Sequence, residues 1–129
     1  MEISYKVPFL LTNWAASIQL KLPKVMADFY AKNAVLVGTF SEPIEIGKGE
    51  VLDYFINFLD KENLTCTILS NVNQALFCGL IISSGTYLFK YTDKDKKKKR
   101  VYARYTYCFK QIKGEYKIIN HHSSELPAV

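Results

Sequence analysis

Arg104, Tyr107, His121 and His122 are the residues of this sequence best suited to meet a ligand, since they bring a permanent cation, a phenol and two imidazoles into neighbouring strand-like segments. Arg104 is the one arginine outside a basic run at residues 94–100, and its neighbours are aromatic. A guanidinium in mid-strand needs a carboxylate or a bound anion if it is buried, so a structural ion pair or an interface contact competes with a ligand role. Adjacent histidines on a strand point to opposite faces, so one of the pair looks inward. Tyr116 and Ile118 share alternation with His122 and argue for it, whereas Ile119 and Ser123 go with His121; the residues leave both open. The short turn at Lys113-Gly114 makes the segments of Arg104 and His121-His122 neighbours in one ladder. A guanidinium beside an imidazole there favours a carboxylate or enolate ligand in a cavity and lowers the pKa of that histidine.

Other chemistry is thinly represented. Asp28, Asp53 and Asp60 fall on polar helix faces, and only Glu42 and Glu45 sit in a loop able to overhang a pocket mouth, so no carboxylate stands out as a general acid or base. No serine elbow, phosphate loop or dinucleotide fingerprint is present. Two histidines and Cys66, Cys78 and Cys108, without metal-ligand spacing, predict neither metal nor cofactor. Each cysteine lies in an apolar run and reads as a reduced core residue. The net charge of +5 comes from Lys94 to Arg100, with six cations and one anion; without that segment the chain is formally neutral. At a hairpin tip such a run is a solvated feature that guards against edge pairing, and no aromatic platform accompanies it, so nucleic acid is not an expected partner.

The elements that position these residues are readable from periodicity. Thr12 or Asn13 is a candidate cap for a helix carrying Trp14, Ile18 and Leu22, and Pro23 opens a second helix with Val25, Met26, Phe29 and Tyr30. Residues 34–40 read as a strand. A third helix is predicted from Val51, Leu52, Phe55, Phe58, Leu59 and Glu62 on one face, with Asp53, Asn57, Asp60 and Lys61 on another. From residue 64 the period changes to two, with runs at 65–72, 75–82, 84–92, 100–112 and 115–123. Large aromatics at Tyr102, Tyr105, Tyr107 and Phe109 suggest that both sheet faces are covered, one by helices and one by a second subunit. At 129 residues and 49% apolar content, residues 1–129 make one domain. The longest apolar runs are too short to span a membrane, and no export signal is legible, which implies a cytoplasmic protein.

The carboxy-terminal half carries a resemblance. Ala103-Arg104-Tyr105-Thr106-Tyr107, followed by residues 114–127 with Ile118-Ile119-Asn120-His121-His122-Ser123-Ser124-Glu125-Leu126-Pro127, resembles the closing hairpin of SnoaL-like proteins. The similarity is to the SgcJ/EcaC-type bacterial proteins and to the association domain of calcium/calmodulin-dependent protein kinase II. Trp14, residues 29–36 and Tyr54-Phe55 with Phe58-Leu59 extend it over nearly the whole chain. The resemblance implies an α+β, cone-shaped nuclear transport factor 2-like (cystatin-like) fold, a curved antiparallel sheet covered by three helices. It also implies a homodimer or larger homo-oligomer, with Arg104, Tyr107, His121 and His122 as ligand-binding candidates. Kinase-type domains line the cavity with arginines, and Tyr107 and Ser123 occupy two of those positions here. The function expected is therefore an association-type domain holding a small organic ligand, anions included. A SnoaL-like cyclase, isomerase or dehydratase is the alternative. No kinase domain is present, so phosphorylation activity cannot reside in this chain.

Overall fold

The computed structural model describes residues 1–127. In chain order these are β1 (Glu2–Ser4), α1 (Phe9–Ser17) with a 3-10 turn at Ile18–Leu20, α2 (Pro23–Ala27), β2 (Tyr30–Val37), β3 (Glu45–Ile46), α3 (Lys48–Phe58), β4 (Glu62–Leu76), β5 (Leu80–Thr92), β6 (Lys98–Ile112) and β7 (Glu115–Glu125). The strands form one sheet in the order β1-β4-β5-β6-β7-β2-β3. Its centre, β4 to β7, is the antiparallel meander that the period-two runs predict, and it is extended by a parallel β7–β2 pair. This is the α+β, nuclear transport factor 2-like architecture, with a curved sheet and three helices on one face.

The helices meet the sheet through rings. Leu11, Trp14, Ile18, Met26, Val51 and Phe55 are buried against Leu36, Tyr87, Tyr107, Phe109 and Ile118. Trp14 is central: its ring stacks on Tyr87 and lies edge-on to Phe55, Tyr107 and His121. Edge-to-face pairs of this kind add roughly 0.5–1.5 kcal/mol each beyond burial, so the cone is filled as well as walled by aromatics.

Several local expectations shift. Helix α1 starts at Phe9 after an extended Pro8, not at Thr12 or Asn13, because the Thr12 hydroxyl bonds back to the Pro8 carbonyl instead of capping. Leu22 is exposed and extended, since Lys21 in a left-handed conformation ends the first helical segment. Tyr30 belongs to β2 and Glu62 to β4, each just beyond the helix whose pattern it continues. The runs 65–72 and 75–82 are not separate strands. Asn71 and Asn73 sit in mid-strand, and the chain reverses at residues 77–79, where Cys78 and Gly79 both have positive φ. Cys78 is thus an exposed turn residue and Cys108 only half-buried, while Cys66 alone of the three is buried. No helix among the described residues is long and apolar enough to cross a membrane.

Candidate functional site

The register of β6 and β7 separates the candidate residues. Tyr107 lies opposite His121, and both face the helices; Arg104 lies opposite Ser124 and Thr106 opposite His122 on the outer face. Tyr107 and His121 come together, their rings stacked with centroids 3.8 Å apart. Arg104 does not join them. It is exposed on the opposite side of the sheet, so it needs no buried partner and cannot set the polarity of the interior, contrary to the expectation from its place in the ladder. The aromatic content of β6 divides in the same way: Tyr105, Tyr107 and Phe109 all face inward and only Tyr102 is exposed.

His121 is the middle of a polar chain through this apolar interior. The Trp14 indole N–H donates to the Tyr30 hydroxyl at 3.1 Å, and Tyr30 is 2.9 Å from His121 Nδ1. His121 Nε2 is 3.2 Å from the Tyr87 hydroxyl, which donates to Ser123 Oγ, itself hydrogen-bonded to Thr39 Oγ1. Indole can only donate and the Tyr87 proton is committed to Ser123, so His121 Nε2 must donate and Nδ1 must accept, which assigns the protons. Tyr30 accepts from Trp14 and gives its own proton to Nδ1; His121 is then the Nε2–H tautomer, donating to Tyr87. Burial, with a smaller contribution from the charge of His122, lowers its pKa to about 3. Burial also pushes the phenols of Tyr30, Tyr87 and Tyr107 upward. Every member of the chain is therefore neutral near pH 7. A histidine with both nitrogens satisfied by tyrosines, and this resistant to protonation, is a positioned structural group and a poor general base. Tyr107 contributes a ring but its buried hydroxyl has no partner.

The chain ends at Thr39, next to Phe40, and a pocket of about 260 Å³ is lined by Phe40, Ser41, Tyr54, Asn57, Phe58 and Lys61. The Lys61 ammonium sits 4.8 Å from the Phe40 ring centre and 5.3 Å from that of Tyr91, and burial lowers its pKa. Glu45 turns inward from β3: one carboxyl oxygen accepts from the Ser41 hydroxyl at 2.7 Å and the other is buried without a partner. Trp14, Tyr30, Tyr87, Thr39 and Lys61 are participants that sequence reasoning did not single out as site residues. Tyr87 had a signal, as a phenol at an inward strand position, but its partner is 34 residues away.

On the outer face, Ser84, Gly85, Arg104, Thr106, His122 and Ser124 border a shallow concavity of about 340 Å³. The basic run occupies the β5–β6 hairpin tip. Asp93 organises it by accepting the N–H groups of Asp95 and Lys97, and Lys96 pairs with Glu62 at 3.1 Å. These contacts are exposed, and surface pairs contribute little. Replacing Lys96, Lys97, Lys98 and Lys99 with serine is expected to change stability by no more than about 0.5 kcal/mol, measured by urea denaturation. It should also leave the oligomeric state as it was. A salt-sensitive interaction with nucleic acid or anionic lipid lost in that variant would assign the tip a binding role.

Residues 6–127 match the calcium/calmodulin dependent protein kinase II association domain family. The chain belongs to that family. A Xanthomonas campestris protein assigned to the same association domain type is 35% identical, with a TM-score of 0.87 over 93% of this chain and 85% of that one. A nuclear transport factor 2-like protein of cystatin-like fold from Novosphingobium aromaticivorans has a TM-score of 0.77 at 3% identity, covering 93% of this chain and 79% of that one. A Streptomyces avermitilis protein described as a dehydratase of the nuclear transport factor 2-like family has 0.80 at 13% identity, covering 92% of both chains. These two share the fold alone. No curated protein matches the chain. For the association domain, the interior chain around His121 is then a feature of the cone, and the sheet face opposite the helices carries Arg104, Thr106 and His122 exposed.

Proposed function

We propose that this association domain assembles with copies of itself through the outer face of its sheet. The observation that carries the reading is the layout of that face. All three helices pack on the other side, leaving a polar centre of Arg104, Thr106, His122 and Ser124 between apolar flanks. Ile46, Val35, Cys108 and Ile82 line one flank, and Tyr102, 44% exposed, lies on the other. Apolar area with a few directional polar groups is the composition of a specific interface. Light scattering is expected to give at least a dimer, and Tyr102→Glu combined with Arg104→Glu to weaken association by roughly tenfold or more, as loss of an interfacial anchor does. A monomer at high micromolar concentration, or a double variant that associates as tightly as the parent, would remove the reading. A small organic ligand, on the same reading, enters at the pocket beside Lys61, because rings fill the deeper interior. The enzymatic alternative rests on Glu45, whose unpartnered carboxyl oxygen is the one buried acid near that pocket.

A further inference from the structure

The β2–β7 pairing jumps from Tyr30–Ile118 to Val35–Asn120, and Ile119 is the residue left over where β6 and β7 change register. A bulge separates strands locally and re-aims side chains. Here the two irregularities meet and open a notch of about 470 Å³, bordered by Lys32, Lys48, Lys110 and Lys117 with Ile112 and Ile119 among its apolar lining. That volume lies in the range of small-molecule sites.

The charges around it do not balance. Lys48 pairs with Asp28 at 3.0 Å, and Lys117 pairs with Glu115 at 3.6 Å while also donating to the Asp28 carbonyl. Among the described residues, Lys32 and Lys110 have no carboxylate within ion-pair distance. Four cations against two anions leave a surplus of two positive charges. Apart from the hairpin tip the chain is formally neutral, so this surplus is local and is not a share of a generally basic surface. We propose that the notch binds a small organic phosphate monoester: its head carries close to two negative charges at pH 7, matching the surplus, and its apolar body lies on Ile112 and Ile119. A monocarboxylate matches only half of that charge.

Phenyl phosphate is the probe, titrated into the full chain at low salt and followed by calorimetry and by amide NMR shifts. Saturable binding that moves the amides of Lys110, Ile112 and Ile119 is expected. Because Lys32 and Lys110 are exposed, Lys32→Gln with Lys110→Gln should leave the circular dichroism spectrum unchanged while weakening binding roughly tenfold or more, the usual effect of losing charged hydrogen-bond donors. The hairpin-tip serine variant should bind as the parent does. The proposal is overturned by absence of saturable binding, by equal affinity of the double variant, by benzoate binding as tightly as phenyl phosphate, or by binding lost in that control.

Discussion

Gly85→Ala is expected to cost about 3 kcal/mol or more, the upper end of what forced overpacking in a core produces. Gly85 lies in mid-β5, facing inward between Asn71 on β4 and Tyr105 on β6. A β-carbon built there falls well inside van der Waals contact with the Ser70 carbonyl oxygen and 2.7 Å from the Tyr105 hydroxyl. The Ser70 carbonyl cannot step aside cheaply. It is backbone beside the bulge between Ile68 and Ser70, and the Tyr105 hydroxyl lies within hydrogen-bonding distance of both it and Asn71 Oδ1. Relief therefore requires breaking the β4–β5 ladder or moving a buried ring. Urea denaturation measures the loss, and adding Tyr105→Phe should recover only a small part of it, since the carbonyl clash remains. A Gly85→Ala protein within 1 kcal/mol of the parent would mean that the strands separate there at little cost.

Gly85 also marks where sequence reading stops. An isolated glycine in a strand signals close approach of another backbone, but which backbone depends on a register set by a bulge 15 residues earlier. Features held by adjacent residues are legible: α3 by its apolar face, Pro23 as the first residue of α2, and the Lys113-Gly114 reversal by its two positive φ angles. The face of His121 was not legible from alternation for the same reason as Gly85. Strict period two puts Ile118 with His122, yet Ile118, His121 and Ser123 are all buried, because Ile119 is inserted opposite the step from Cys108 to Phe109 and inverts the alternation once. The resemblance, which set Ser123 among cavity positions, carried the correct face where periodicity divided. Arg104 went astray by the complementary error. Adjacency in the ladder was readable, but adjacent strands present residues to both faces, and the register gives Arg104 to the outer one together with His122.

His121 should make the domain progressively less stable as the pH falls from about 6.5 toward 3. Its ordinary pKa of 6.5 applies in the unfolded chain, whereas burial holds the folded value at about 3. Between those values the unfolded state binds a proton that the folded state refuses, so stability present above pH 6.5 is lost on acidification at about 1 kcal/mol per pH unit and levels off below pH 3. Protonation in place would set Nδ1–H against the Tyr30 proton and put a charge between stacked rings, which is why the folded form resists it. The Tyr30, Tyr87 and Tyr107 phenols, raised by burial, stay protonated throughout. His121→Gln keeps a donor and an acceptor but cannot ionise. It should lose about 2 kcal/mol at pH 7 through weaker stacking and poorer hydrogen bonds, then show a shallower decline on acidification, so that the gap to the parent narrows and reverses by roughly pH 4. Carboxylates titrate in both proteins and cancel in the difference. Urea denaturation at stepped pH measures that difference, and nitrogen NMR of the folded parent at pH 5 should find an unprotonated Nδ1 and a protonated Nε2. A constant gap across the range, or an imidazolium signal at pH 5, would show that water or an ion reaches the chain and that the interior is open where the packing of Trp14, Tyr107 and His121 closes it.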